Sequence, residues 1–167
     1  PVKDMRFVMD EIVGLNEIAQ LPGYEEATPD LADAILDEAA KFTGGVLAPL
    51  NRIGDQQGCK LGADGVTTAA GWKDAYKAFC DAGWNGLAMP VDFGGQGLPE
   101  TFGIAVKEMT ASANMAFSLC PMLTGGSILA MLTCASDELK AVYLEKMITG
   151  EWTGTMNLTE PQAGSDL

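Results

Sequence analysis

The sequence has 167 residues, a length typical of about one domain of ~100–200 residues. Apolar residues make up 47% of it, which is enough to build a buried core and too many for a disordered chain. The formal net charge is −13, and an acidic surface repels phosphate backbones, so we expect neither nucleic acid nor an anionic membrane as a partner. No unbroken apolar run reaches the roughly 18 residues typical of a membrane span.

The reactive side chains limit the chemistry that these residues can perform alone. Histidine is absent, which excludes Ser-His-Asp and Cys-His catalytic arrangements here and disfavours a transition-metal site. The cysteines are too far apart in the sequence to form a zinc or redox motif; they are Cys59, Cys80, Cys120 and Cys134. We expect them to be reduced and to pack as small apolar side chains on helix faces, as is typical of a cytoplasmic protein.

Apolar residues at spacings of three and four predict helices along the first half of the chain. One stripe in the first helix consists of Met5, Val8, Ile12 and Leu15. Thr28-Pro29-Asp30 predicts the start of a second helix, since threonine caps, proline suits the first turn and aspartate suits the positive end of the dipole. Residues 54–65 are polar and rich in glycine, which predicts a loop.

Helical periodicity continues through the second half of the chain. Helices are predicted over residues 68–83, about 99–119, about 123–133 and 136–149. After Gly150 the apolar residues alternate with threonine and asparagine, and this period of two predicts a strand. A lone strand has nothing to pair with, so we expect a sheet to follow in a longer protein or to come from another chain. The predicted fold is all-α, with about six helices and the first strand of a following β domain.

The last residues, 156–167, have the composition of a ligand-binding turn. The strand delivers Thr159 to a turn fixed by Pro161, and three small residues follow, Ala163-Gly164-Ser165. Small residues let a ligand approach the backbone, and their N–H groups with a serine hydroxyl can bind a phosphate. These features suit a ligand with a polar aromatic ring and a pyrophosphate, although a simple polar loop after a strand is an alternative on these grounds.

The same residues, MNLTEPQAGSDL, resemble the signature of the acyl-CoA dehydrogenase family, in which a strand leads into Thr-Glu-Pro and then Gly-Ser-Asp. Upstream, residues 86–98 resemble the family's Gly-hydrophobic-Pro and Tyr-Gly-Gly-x-Gly segment, with Phe93 in place of tyrosine. The resemblance extends over about residues 28–167. It implies a helical N-terminal domain at 28–151 and a truncated middle β domain beginning at 152–167. Residues 1–27 would form an added N-terminal helix, as in the subgroup that includes methylmercaptopropionyl-CoA dehydrogenase-like enzymes.

The resemblance also implies roles for individual residues. Met156, Leu158 and Thr159 would lie against a flavin ring, mainly through backbone groups, with the Thr159 hydroxyl bonded to the polar edge of the ring. Gly164 and Ser165 would contact the pyrophosphate of FAD, and Ser165 would also touch the CoA part of the substrate. The family's catalytic base is a glutamate in a C-terminal domain outside these residues. No catalytic residue is therefore assigned here, and no metal ligand.

The implied reaction is α,β-dehydrogenation of an acyl-CoA thioester to the 2,3-enoyl-CoA in fatty acid metabolism. FAD carries the redox chemistry and passes electrons to an electron-transfer flavoprotein, while the protein positions and tunes it. Family members are usually homo-oligomers. The isolated segment is expected to be inactive.

Two alternatives remain open from the sequence. An acyl-CoA oxidase-like flavoenzyme shares the fold but gives its electrons to oxygen. A non-enzymatic helical interaction module would explain the amphipathic helices and acidic charge, but it would not need the terminal Thr-Glu-Pro segment.

Overall fold

The computed structural model describes residues 1–164, and the chain is mostly helical, as predicted. This part of the chain contains eight α-helices: α1 (Val2–Phe7), α2 (Leu15–Ile18), α3 (Pro29–Phe42), α4 (Ala48–Gln57), α5 (Trp72–Asp81), α6 (Glu100–Ala113), α7 (Met115–Cys134) and α8 (Asp137–Ile148). Shorter elements join them: π-helical turns at Val8–Val13 and Thr43–Leu47, 3₁₀ turns at Trp84–Gly86 and Val91–Phe93, and the strands β1 (Lys60–Gly62) and β2 (Gly65–Thr67).

Three clusters of buried side chains hold the helices together. The largest joins α3 and α6 and includes Leu36 and Phe102, both fully buried. A second, aromatic cluster centres on Phe79 and Phe117, whose rings meet edge to face at 5.7 Å between centroids. The third fills the space between α7 and α8. Helices α6, α7 and α8 therefore pack in chain order, each against the next.

The predicted apolar stripe in the first helix is only partly correct, because Leu15 is buried and Met5 packs against the core, whereas Val8 and Ile12 are exposed. Val8–Val13 adopts π-helical hydrogen bonding, and Gly14 then takes a left-handed conformation with φ 77°. This widened turn rotates the following side chains relative to an α-helix. Consequently Met9 and Leu15 are buried, whereas Ile12 is 70% exposed.

The predicted start of the second helix is confirmed. Thr28 is the N-cap of α3, and its hydroxyl oxygen accepts a hydrogen bond from the Leu31 N–H at 3.3 Å. Pro29 occupies the first turn, where a missing N–H costs nothing.

The loop predicted at residues 54–65 is only partly correct. Helix α4 continues to Gln57, and β1 and β2 then form an antiparallel hairpin in which Leu61 lies opposite Val66. Both side chains point into solvent, with 84% and 67% exposure. The turn consists of Ala63 and Asp64, which is not one of the favoured two-residue turn pairs, so the sequence carried no strong signal for the hairpin.

The predicted break between residues 119 and 123 is also misplaced. Helix α7 continues through Pro121, and the chain breaks instead at Asn114, whose backbone is extended. Asn114 caps α7 by accepting a hydrogen bond from the Phe117 N–H at 3.0 Å. An asparagine side chain can replace a backbone partner in this way, which ends one helix and begins the next.

Helix α7 carries no charged residue. Its most apolar 18-residue window has a mean hydropathy of 1.6, and 17% of that window is buried, so by length and composition alone the helix could cross a membrane. The sequence criterion used above required an unbroken apolar run, which the serine, threonine and glycine residues of α7 interrupt.

The strand predicted after Gly150 is not formed in the described residues. Residues 153–159 are neither helical nor paired in a sheet. A strand is stabilised by the ladder to its neighbour, and β1 and β2 pair only with each other. The alternating pattern is therefore present without the sheet that it predicts.

Candidate functional site

The glycine-rich segment at residues 86–98 is a loop closed on itself by backbone hydrogen bonds. The N–H groups of Gln96 and Leu98 donate to the carbonyls of Gly86 and Leu87, at 2.9 and 3.0 Å. The Gly97 N–H donates to the Met89 carbonyl at 2.9 Å. Its two halves are therefore one compact unit.

This loop supports the C-terminal end of α8. The Asn85 side-chain amide donates to the carbonyls of Met147 and Ile148, at 2.8 and 3.2 Å. Carbonyls in the last turn of a helix have no partner within the helix, so Asn85 supplies one. The point at which the chain leaves α8 is thereby fixed.

Gly95→Ala should disrupt this support. A Cβ at residue 95 would lie 2.1 Å from the Met89 carbonyl oxygen, which is backbone and cannot turn aside. We expect the variant to lose about 1–3 kcal/mol in its free energy of unfolding, measured by urea denaturation. Gly44→Ala is the matched control, because a Cβ there meets nothing within 4 Å. Equal stability of the two variants would contradict this role of the loop.

The exit from α8 runs through Gly150, which has φ 83°. The Tyr76 hydroxyl donates to the Gly150 carbonyl at 3.1 Å, and a Cβ at Gly150 would lie 2.3 Å from the Cys80 sulfur. Helix α5 therefore holds the residue that redirects the chain, and only glycine fits both the conformation and the space.

Trp152, two residues beyond Gly150, packs against side chains of α8. Its ring packs against Tyr143 at 5.6 Å between centroids, and the Lys146 ammonium lies 4.3 Å from the Trp152 ring centroid. The backbone N–H of Trp152 donates a hydrogen bond to the Lys146 carbonyl at 3.0 Å. The indole is 38% exposed, so it lies along the surface of α8.

Gly154 then contacts α7. Its N–H donates to the Thr124 hydroxyl oxygen at 3.1 Å, and Thr124 is fully buried. An added Cβ at Gly154 would lie 2.4 Å from the Ser127 hydroxyl oxygen. The chain thus packs against the side chains of α7 two residues before the first predicted flavin contact.

The predicted ring-contacting residues lie immediately beyond this point and are exposed. Met156 is 61% exposed and Leu158 is 49% exposed, and Thr159 is exposed as well. Within residues 1–164, no backbone hydrogen bond joins 155–159 to another part of the chain. Apolar side chains and unpaired backbone groups are therefore available together on one short segment.

A tight turn follows at residues 160–163. The N–H groups of Glu160 and Ala163 each donate to the other residue's carbonyl, at 2.9 and 3.1 Å, with Pro161 inside the turn. The Glu160 carboxylate accepts a hydrogen bond from the Gln162 amide, so Glu160 belongs to the turn. Gly164 is exposed after it, and Ser165 lies outside the described residues.

The Cys80 thiol near the exit from α8 is unsuited to nucleophilic chemistry. Burial raises the pKa of the Cys80 thiol, and it also raises the pKa of the Tyr76 phenol. These groups stay protonated at neutral pH, and the thiolate is the reactive form of cysteine. The predicted packing of the cysteines is correct only for half-buried Cys80, because Cys59, Cys120 and Cys134 are exposed.

Comparison with known proteins decides the family. Residues 29–151 match the model of the acyl-CoA dehydrogenase N-terminal domain. The chain belongs to this family. The helical domain described above is therefore an acyl-CoA dehydrogenase N-terminal domain, as the resemblance in the sequence predicted.

Individual acyl-CoA dehydrogenases resemble the chain over its full length. It is 47% identical to a 3-methylmercaptopropionyl-CoA dehydrogenase of Ruegeria pomeroyi, over 100% of this chain and 28% of that protein. It is 34% identical to a butyryl-CoA dehydrogenase of Syntrophomonas wolfei, over 99% of this chain and 28% of that protein. A 3-(aryl)acrylate reductase of Clostridium sporogenes is 34% identical over 56% of this chain and 25% of its own length. The chain therefore spans about 28% of the length of the first two relatives.

Sequence reasoning missed the residues that fix the chain where it leaves α8, ahead of the signature. Thr124, Asn85 and Tyr76 contact the exit from α8 from three different elements. Their partners are 30 to 74 residues away in the sequence, so no local pattern joins them. The glycines at 150 and 154 are the only local sign, since each marks a close approach to another element.

Proposed function

We propose that the chain is the N-terminal part of a flavin-dependent acyl-CoA dehydrogenase that oxidises an acyl-CoA thioester to the 2,3-enoyl-CoA. The observation that carries the proposal is the exposed segment 155–159, which leaves a buried helical domain at a fixed point and has no protein partner in residues 1–164. Membership of the family supports it, as do the names of the relatives.

The described residues fit an FAD molecule at this segment. A flavin has an apolar ring face and a polar edge. Met156 and Leu158 offer apolar surface, while the unpaired N–H and carbonyl groups between them offer hydrogen bonds. Gly164 is exposed, and a Cβ there would meet nothing within 4 Å, so a phosphate can approach its backbone.

In this proposal the residues bind and orient, and they do not take part in proton transfer. Met156 and Leu158 cover part of the ring, and the Thr159 hydroxyl donates to its polar edge. The N–H of Gly164 and the hydroxyl of Ser165 bind the pyrophosphate, and Ser165 also touches the CoA moiety. FAD, when bound, accepts the hydride that leaves the β-carbon of the substrate.

The substrate and partners follow from the relatives and from the family resemblance. We propose a short-chain acyl-CoA, such as the methylmercaptopropionyl or butyryl thioesters for which the two full-length relatives are named. An electron-transfer flavoprotein would accept the electrons, and the complete protein would be a cytoplasmic homo-oligomer. The proposed organisation is an added helix at 1–27, the helical domain at 28–151 and the start of a β domain at 152–167.

A charge placed beside the ring tests the flavin site. We expect Met156→Glu in the full-length protein to lower the FAD content by about tenfold, because a carboxylate would be desolvated against an apolar ring. The matched control is Leu61→Glu, since Leu61 is an equally apolar, exposed residue on the distant β1–β2 hairpin. The measurement is the ratio of flavin absorbance to protein in the purified variants. Equal flavin content in Met156→Glu and the parent would contradict the assignment.

A further inference from the structure

The contact between Thr124 and Gly154 is the one hydrogen bond that ties residues 153–164 to the helices within the described part of the chain. Its length is 3.1 Å. Thr124 lies in the middle of α7 and is fully buried, so solvent does not compete for its hydroxyl. The position of the segment that follows depends on this contact.

The Thr124 hydroxyl both donates and accepts a hydrogen bond. It donates to the Cys120 carbonyl one turn earlier at 2.9 Å, and it accepts from the Gly154 N–H. Donation to the helix backbone fixes the rotamer and aims the free lone pair outward. The Thr124 side chain is therefore held in place by its own helix, independently of the segment.

Steric contacts keep Gly154 at this position from the other side. An ideal Cβ at Gly154 would lie 2.4 Å from the Ser127 hydroxyl oxygen, 2.6 Å from the Ser127 Cβ and 3.1 Å from the Met147 methyl carbon. The backbone of Gly154 thus lies directly on α7 and α8, and any larger residue would lift the segment away from them.

We propose that Thr124 and Gly154 form a latch that positions the flavin-contacting segment, with Thr124 as a positioning residue. The inference rests on the proposed function, because it assigns a purpose to the position of Met156 and Thr159. Two extended residues span at most about 7 Å, so Met156 follows any displacement of Gly154 almost directly. The latch therefore couples the start of this segment to α7.

Thr124→Val in the full-length protein tests the latch. Valine keeps the shape of threonine but leaves the N–H of half-buried Gly154 without its acceptor. We expect the dissociation constant for FAD to rise about tenfold and the amide exchange of residues 152–158, measured by mass spectrometry, to become about tenfold faster. Thr124→Ser retains the acceptor, so both quantities should stay within about threefold of the parent.

The matched control is Thr133→Val. Thr133 lies on the same helix, and its hydroxyl donates to the Leu129 carbonyl at 2.8 Å, which is the same kind of bond, but it is exposed and does not touch the segment. Its flavin affinity and exchange should equal those of the parent. Gly154→Ala provides a second route, since it leaves the buried threonine intact and should weaken FAD binding by displacing the segment.

The outcomes separate the latch from the proposed function. If the parent binds FAD and Thr124→Val binds it equally well with unchanged exchange, the latch is wrong and the flavin site stands. If the parent binds no FAD, the proposed function fails and the latch fails with it as a positioning device for flavin. Faster exchange in Thr124→Val together with weaker FAD binding, and neither effect in Thr133→Val, supports the latch.

Discussion

Phe102→Ala is expected to lower the free energy of unfolding of the chain by about 3–5 kcal/mol. Phe102 lies on α6 in the largest cluster of buried side chains, and it is fully buried. The substitution removes the apolar contacts of the ring and leaves a cavity that the fixed helices on either side cannot fill completely. Urea denaturation followed by circular dichroism measures the change.

The matched control lies two residues along the same helix. Ile104 is 57% exposed, so Ile104→Ala removes little buried surface and should change the free energy of unfolding by less than about 0.5 kcal/mol. If Phe102→Ala cost no more than Ile104→Ala, the helical domain would not be packed around α6 as described.

Asn114→Ala is expected to cost about 2–4 kcal/mol, because one side chain satisfies two buried backbone groups. Its carbonyl oxygen caps α7 at the Phe117 N–H, and its amide donates to the Leu47 carbonyl at 3.2 Å. Asn114 itself is 1% exposed, so water cannot replace either bond. The same denaturation experiment measures the loss.

Ser136→Ala measures how much an N-cap without a buried second hydrogen bond contributes to the free energy of unfolding. Ser136 caps α8 in the same way, but it has a single backbone partner, the exposed Leu139 N–H at 3.5 Å. We expect a loss of about 0.5–1 kcal/mol for this variant. A loss of similar size for Asn114→Ala would mean that the link to Leu47 contributes nothing.

The sequence was most informative where a signal is local. Thr28-Pro29 marks the start of α3 because the cap and the first turn lie within a few residues. The signature at residues 156–167 resembles that of the acyl-CoA dehydrogenases, and the family that it predicted is confirmed. Local signals of this kind depend only on neighbours in the chain.

The errors arose where distant residues decide the outcome. The sequence predicted a break between residues 119 and 123, yet α7 begins earlier, at Asn114, whose side chain also binds Leu47 across the core. Ile12 fits an α-helical stripe, but the π-helical turn around it carries the side chain to the surface. Periodicity assumes a constant number of residues per turn, so it cannot register such a change.

In the candidate site, too, the sequence identifies residues that a local motif marks and misses those that act through distant contacts. Met156, Leu158 and Thr159 are recognisable from the signature, and their assigned contacts to FAD remain predictions. Thr124 is not recognisable, because no local pattern distinguishes it from the other serine and threonine residues of α7. Its importance follows only from the hydrogen bond to Gly154, 30 residues further along the chain.

The central claim is that these residues form part of a flavin site for acyl-CoA oxidation. The most direct test is the anaerobic visible spectrum of the full-length protein, before and after adding methylmercaptopropionyl-CoA, butyryl-CoA and longer thioesters in turn. We expect a flavin absorption band that bleaches with a short-chain thioester, and this bleaching reports transfer of hydride from substrate to flavin. A protein that has no flavin band even after incubation with FAD, or whose band is unchanged by every thioester, would contradict it.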